Sequence, residues 1–146
     1  MKLNNEKLEE SKDKKVLILP CSGIGKALGT VTRWTAYEVT QNLKPHDTRL
    51  LCLARLVVAD DESKITIQEH PIFTIDGCPK KCATLNVEKN GGLVAKKYLM
   101  PKFLVKNRDL KLGKSILDPG EQALELAKRT ARDIGTDIDN FMEESR

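Results

Sequence analysis

Three short apolar runs dictate most of what this chain can become: Val16-Leu17-Ile18-Leu19, Leu50-Leu51-Cys52-Leu53 and Ile72-Phe73-Thr74-Ile75. They are nearly continuous rather than alternating, as in strands covered on both faces. Each is followed by turn residues and then by a segment of helical character. Past the first run, Gly23, Gly25 and Gly29 form a loop, and Val31, Trp34 and Val39 follow on a helix expected to reach about Leu43. Past the second, Asp60-Asp61-Glu62-Ser63 opens a segment to Glu69 that fits a helix or a short strand, helix being the preferred reading. Past the third, Gly77 and Pro79 turn the chain into a helix that the pair Gly91-Gly92 ends. This alternation predicts an α/β fold: a single three-layer domain with a mostly parallel, Rossmann-like sheet of about four strands and helices on both faces.

The C-terminal third is less regular. Residues 93–100 and 103–105 are strand candidates on either side of Pro101. Asp118-Pro119-Gly120-Glu121 signals a helix start with Pro119 at the first helical position. Leu124, Ala127, Ala131 and Ile134 mark its apolar face, Gly135 ends it, and a short last turn leads to Phe141. Residues 1–14 read as a flexible N-terminal arm and 15–146 as the domain.

The 146 residues are enough for an ordinary core without staples, and no run approaches the ~20 apolar residues of a membrane span. Aromatics at 4% argue against base-stacking platforms, so nucleic acid is not an expected partner. Residues 1–15 are polar, carry both charge signs and hold no apolar signal core, so the expected location is the cytoplasm. Cysteines there are reduced, metal-bound or redox-active rather than structural disulfides. The net charge of +4 is unevenly spread: residues 80–114 hold 10 basic side chains against Glu88 and Asp109. A stretch of that kind suits an anionic small molecule or an acidic protein partner, although a solvated lysine-rich face is the commoner explanation.

The four cysteines follow the strands: Cys21 closes the first run, Cys52 lies near the end of the second, and Cys78 and Cys82 follow the third. In a parallel sheet those strand ends share one edge, where open α/β folds bind ligands. Four thiolates there make a tetrahedral metal site reasonable. The bland alternative is core packing, and Cys52, flanked by leucines, would look like core if it stood alone. Spacing alone does not choose among zinc, copper(I) and an iron–sulfur cluster. Neither His46 nor His70 stands at ligand spacing from a cysteine.

Two further readings concern the loops. With Pro79 at a first helical position, Cys78 would enter a helix and Cys82 lie one turn in, where exposed N–H groups favour thiolates. Cys78 is then the candidate nucleophile, helped by Lys80 and Lys81, with Cys82 as resolving thiol, Cys21 as acceptor, and Asp76 as proton acceptor or turn former. The loop holding Ser22, Gly23 and Gly25 is a candidate for binding an anion or cofactor phosphate. Its spacing has one residue too many for a dinucleotide fingerprint, and Lys26 lacks the following Ser or Thr of a Walker loop. The plainer reading is that Gly23 and Gly25 let the backbone turn so that Cys21 faces the sheet edge.

Pro20-Cys21-Ser22-Gly23, Cys52-Leu53-Ala54 and Ile75-Asp76-Gly77-Cys78-Pro79-Lys80-Lys81-Cys82-Ala83 together resemble the DGC-domain family, described as zinc-binding and named for its Asp-Gly-Cys motif. The resemblance spans about Lys15 to Ile134. It implies that Cys21, Cys52, Cys78 and Cys82 are the chelating set and that zinc is the metal. A thiol enzyme or sulfur carrier using Cys78 and Cys82 is the first alternative, and an iron–sulfur protein with the same four ligands is the second.

Overall fold

The computed structural model describes residues 14–21 and 23–145, so the arm expected over 1–14 lies almost wholly outside the described residues. Four strands form one parallel sheet: β1 (Val16–Pro20), β2 (Thr48–Leu50), β3 (Ile72–Asp76) and β4 (Val94–Leu99), in the order β2-β1-β3-β4. The helices between and after them are α1 (Ala27–Tyr37), α2 (Leu53–Val57), α3 (Asp61–Glu69), α4 (Cys82–Lys89), α5 (Met100–Lys106) and α6 (Glu121–Glu144). A π-helical turn, Glu38–Leu43, extends α1.

Side chains alternate across the strands, and this sorts the core into two layers. Val16, Ile18, Phe73 and Ile75 face α1 and α6, packing with Val31, Leu126, Ala131 and Ile134. Leu17, Leu19 and Ile72 face the other way, packing with Leu53, Leu56, Ile67, Ala83 and Val87 of α2, α3 and α4. The expected three-layer α/β domain is therefore what forms. Its two central strands, β1 and β3, are buried almost throughout, as their continuous apolar runs require.

Several element boundaries differ from the sequence expectation. β2 stops at Leu50, because Leu53 and Leu56, three apart, are recruited as the buried face of α2; Cys52 becomes the exposed residue preceding that helix. Residues 103–105 are helical, not extended. Pro101 sits in the first turn of α5, where a missing N–H breaks nothing, and Phe103 lies against Tyr98 with ring centroids 6.1 Å apart. Pro119 stays outside α6, which starts after Gly120 at φ 97°. Gly135 does not end α6: Ile134 and Ile138 continue its buried stripe past it. The Asp60 helix start is as expected, with its carboxylate accepting from Ser63 N at 3.0 Å and Ser63 Oγ at 2.8 Å.

Candidate functional site

In the order β2-β1-β3-β4 the chain leaves β1 for one side of the sheet and later returns to its other side as β3. The loops after β1 and β3 therefore flank the switch point at which open α/β sheets hold ligands. Cys21 belongs to the first loop and Cys78 to the second, which ends where Cys82 opens α4.

Cys21 is held as though it were one more residue of the sheet. Its N–H donates to Ile75 O at 2.9 Å, and the side chain is largely buried. The sulfur has two polar neighbours: it accepts from Gly77 N–H at 3.3 Å and lies 3.4 Å from Thr32 Oγ1. Thr32 spends its only hydroxyl proton on Gly29 O at 2.6 Å, so the Cys21 S–H is the donor to Thr32.

The glycines explain how the two loops come so close. A Cβ on Gly29 would overlap the backbone of Gly23, which stands at φ 63°, and one on Gly77 would lie 2.9 Å from Gly29 N. Gly23, Gly29 and Gly77 thus form a contact between main chains, with room for no side chain. Gly25 meets nothing within 4 Å. Gly23 and Gly25 do line the cavity beside the sulfurs, while Ser22 lies outside the described residues.

The loop after β3 does not follow the expected helix entrance. Residues 77–81 form a turn, closed by Lys81 N–H donating to Cys78 O at 3.1 Å, and Lys81 takes left-handed backbone angles at φ 53°. The helix begins only at Cys82, so Cys78 stands ahead of it rather than at its entrance. The reason is Asp76. Its buried carboxylate accepts from Ala83 N at 2.8 Å, Thr84 N at 3.2 Å and Thr84 Oγ1 at 2.7 Å, capping α4 from the end of the preceding strand. Thr84 in turn lies 2.7 Å from Thr74 Oγ1, which supplies the proton of that contact because Thr84's own goes to Asp76. Asp76 is thus neither a simple turn former nor a free base. The spacing between Asp76 and Thr84 hides this role, since a cap is ordinarily sought next to the helix.

Cys21, Cys78 and Cys82 all line one cavity of about 200 Å³, with Gly77 and Lys26 among its other walls. Cys78 is half-buried and Cys82 exposed. Cys52 is exposed, follows β2 at the same edge of the sheet, and does not line that cavity. All four cysteines are free thiols. Among the described residues, no three His, Cys, Asp or Glu side chains stand close enough together to hold a metal ion as they are placed. The donor chemistry fits a soft or borderline metal, with thiols from separate loops at one cavity. The lysines that the sequence only suggested as a patch do gather: Lys81, Lys97, Lys102 and Lys106 line a second cavity of about 450 Å³, of which Asp76 is a shared wall. No helix among the described residues is long and apolar enough to cross a membrane.

The sequence model of the family described as DGC domain matches residues 17–132. No curated protein and no solved structure gives a match.

Proposed function

Because this chain belongs to the DGC domain family, we propose that it is a zinc-binding protein whose four thiolates come from Cys21, Cys52, Cys78 and Cys82. The observation that carries this reading is the cavity at the switch point, walled by three of those four thiols from two different loops. Core packing alone gives no reason for half-buried and exposed cysteines to converge there. Cys52 joins as the fourth ligand from the neighbouring strand end. Four thiolates close the coordination sphere, and a closed site holds zinc for structure or for transfer rather than for Lewis-acid chemistry.

The fold has its own core on both sheet faces and does not depend on a metal to bury it. That favours a role in handling metal or sulfur in the cytoplasm over a purely structural one. Zinc bound there would supply a compact positive charge that keeps the thiols deprotonated. The chain's own contribution is to hold Cys21 by the Gly77 N–H and to fix Cys82 through the Asp76 cap of α4.

Anaerobic purification, elemental analysis and an absorption spectrum test the reading together. About one zinc per chain with no visible band supports it. Stoichiometric iron with absorption near ~400 nm replaces it with an iron–sulfur protein. A metal-free protein whose Cys78 is alkylated rapidly at neutral pH replaces it with a thiol enzyme or sulfur carrier.

A further inference from the structure

The larger cavity is a separate feature from the thiol cavity and carries an inference that does not rest on a metal. Its lysines come from three elements: Lys81 just before α4, Lys97 on β4, and Lys102 and Lys106 on α5. Folding therefore brings together ammonium groups up to 25 positions apart around a concave surface, where their like charges repel. Lys97 is paired with Glu88 at 2.9 Å and Lys106 with Asp133 at 3.5 Å, both at exposed positions where such pairs are weak. Among the described residues, Lys81 and Lys102 have no carboxylate partner.

Against these four lysines, the one acidic side chain that lines the cavity is Asp76. Asp76 is 2% exposed, and its oxygens are taken up by three donors of α4. Tyr98 stays a neutral phenol: burial, and then its hydrogen bond to Asp137, push its pKa far above the ordinary value of 10.0. The rings of Tyr98 and Phe103 give the cavity an apolar side, and its volume lies within the range of small-molecule sites, roughly 300–1,000 Å³.

We propose that this cavity binds a small anion bearing phosphate or carboxylate groups, seated beside the thiols across the shared Asp76 wall. Lysine ammoniums act as point charges without the planar fork of arginine, so they select for negative charge more than for one oxyanion shape. Phosphate and carboxylate are accordingly two sources of the same chemistry.

The test is calorimetric titration of the full-length protein as purified, with inorganic phosphate and with succinate, at low and high salt. Saturable binding of at least one, weakened by salt, is expected; the stronger of the two identifies the source. Lys102→Gln and Lys81→Gln should each weaken binding by about tenfold or more, while Lys128→Gln, on the exposed surface of α6, should leave it unchanged. Thermal midpoints measured alongside should be unaltered, because all three lysines are exposed. Cys78→Ser should bind the anion as the parent does. Failure of both anions to bind, equal weakening by Lys128→Gln, or loss of binding in Cys78→Ser overturns the proposal; the last outcome would put the anion on a metal held by the thiols.

Discussion

Asp76, the last residue of β3, and Thr84, in the first turn of α4, are joined by two hydrogen bonds to one oxygen: Thr84 Oγ1 donates to Asp76 Oδ2 at 2.7 Å and Thr84 N–H at 3.2 Å. The other oxygen takes Ala83 N–H at 2.8 Å. This clamp spans the turn that carries Cys78 and sets where Cys82 begins the helix. Stability and site geometry therefore depend on the same carboxylate.

Replacing Asp76 by Ala strands two backbone donors and a hydroxyl in a buried place. Bonds to charged groups contribute about 1.5–3 kcal/mol each but do not add fully, so a loss of about 3 kcal/mol in urea unfolding is expected. Asp76→Asn keeps an acceptor oxygen and should lose less. If the thiols hold zinc as proposed, both variants should also bind it more weakly, since Cys82 is less firmly fixed. Unfolding curves that match the parent's would show that the clamp contributes nothing.

The glycine contact gives a paired prediction. Gly29→Ala places a methyl group into the backbone of Gly23, so one of the two main chains must shift. A cost of about 3 kcal/mol or more is expected, at the upper end for overpacking. Gly25→Ala, with open space around the added carbon, should stay within about 0.5 kcal/mol of the parent. Equal effects at the two positions would mean that loop flexibility, not contact, explains the glycines.

The sheet could be read from the sequence because burial on both faces leaves a continuous apolar signature, as at Val16, Leu17, Ile18 and Leu19, all 1% exposed or less. The edge strands were harder. Leu53 and Leu56 carry the same apolar signal whether they extend β2 or turn inward from α2, and only tertiary packing decides. Pro101 was equally ambiguous, since proline interrupts a strand but is welcome in a first helical turn. At the site, cysteines at successive strand ends were visible because a parallel sheet puts those ends on one edge. The Asp76 clamp and the lysine cavity were not, because each joins residues from elements whose relative placement no local pattern records.

The Asp60 cap of α3 ties stability to acid pH. Hydrogen bonds from the Ser63 hydroxyl and then the Ser63 N–H, with Arg55 adding charge, hold this carboxyl below its ordinary value of 3.8. A group whose pKa is depressed on folding contributes stability above its unfolded value and loses it as pH falls through the folded one. Asp60→Ala should therefore melt below the parent at pH 7, and the gap should narrow as pH drops below about 4. Melting temperatures measured from pH 7 to pH 2 check this. A gap that is constant across the series would assign the effect to packing rather than to the ionised cap.

The most informative substitution at the thiols is Cys52→Ser, because Cys52 alone of the four lies off the shared cavity. If four thiolates hold zinc, apparent binding free energies of about 10–16 kcal/mol divide into roughly 3 kcal/mol per ligand, on the order of 100-fold in affinity. Cys52→Ser should then weaken zinc binding about as much as Cys82→Ser does, measured by competition with a chromophoric chelator. Cys52→Ser and Cys21→Ser should differ in the fold as well. Cys52 is exposed and makes no side-chain bond to its helix, so Cys52→Ser should unfold like the parent once metal is removed. Cys21→Ser should not: it shrinks a largely buried side chain that links the Gly77 N–H to Thr32. Zinc affinity preserved in Cys52→Ser and lost in the other three would leave a three-thiol site with an open position. Such a site would be suited to chemistry rather than to storage.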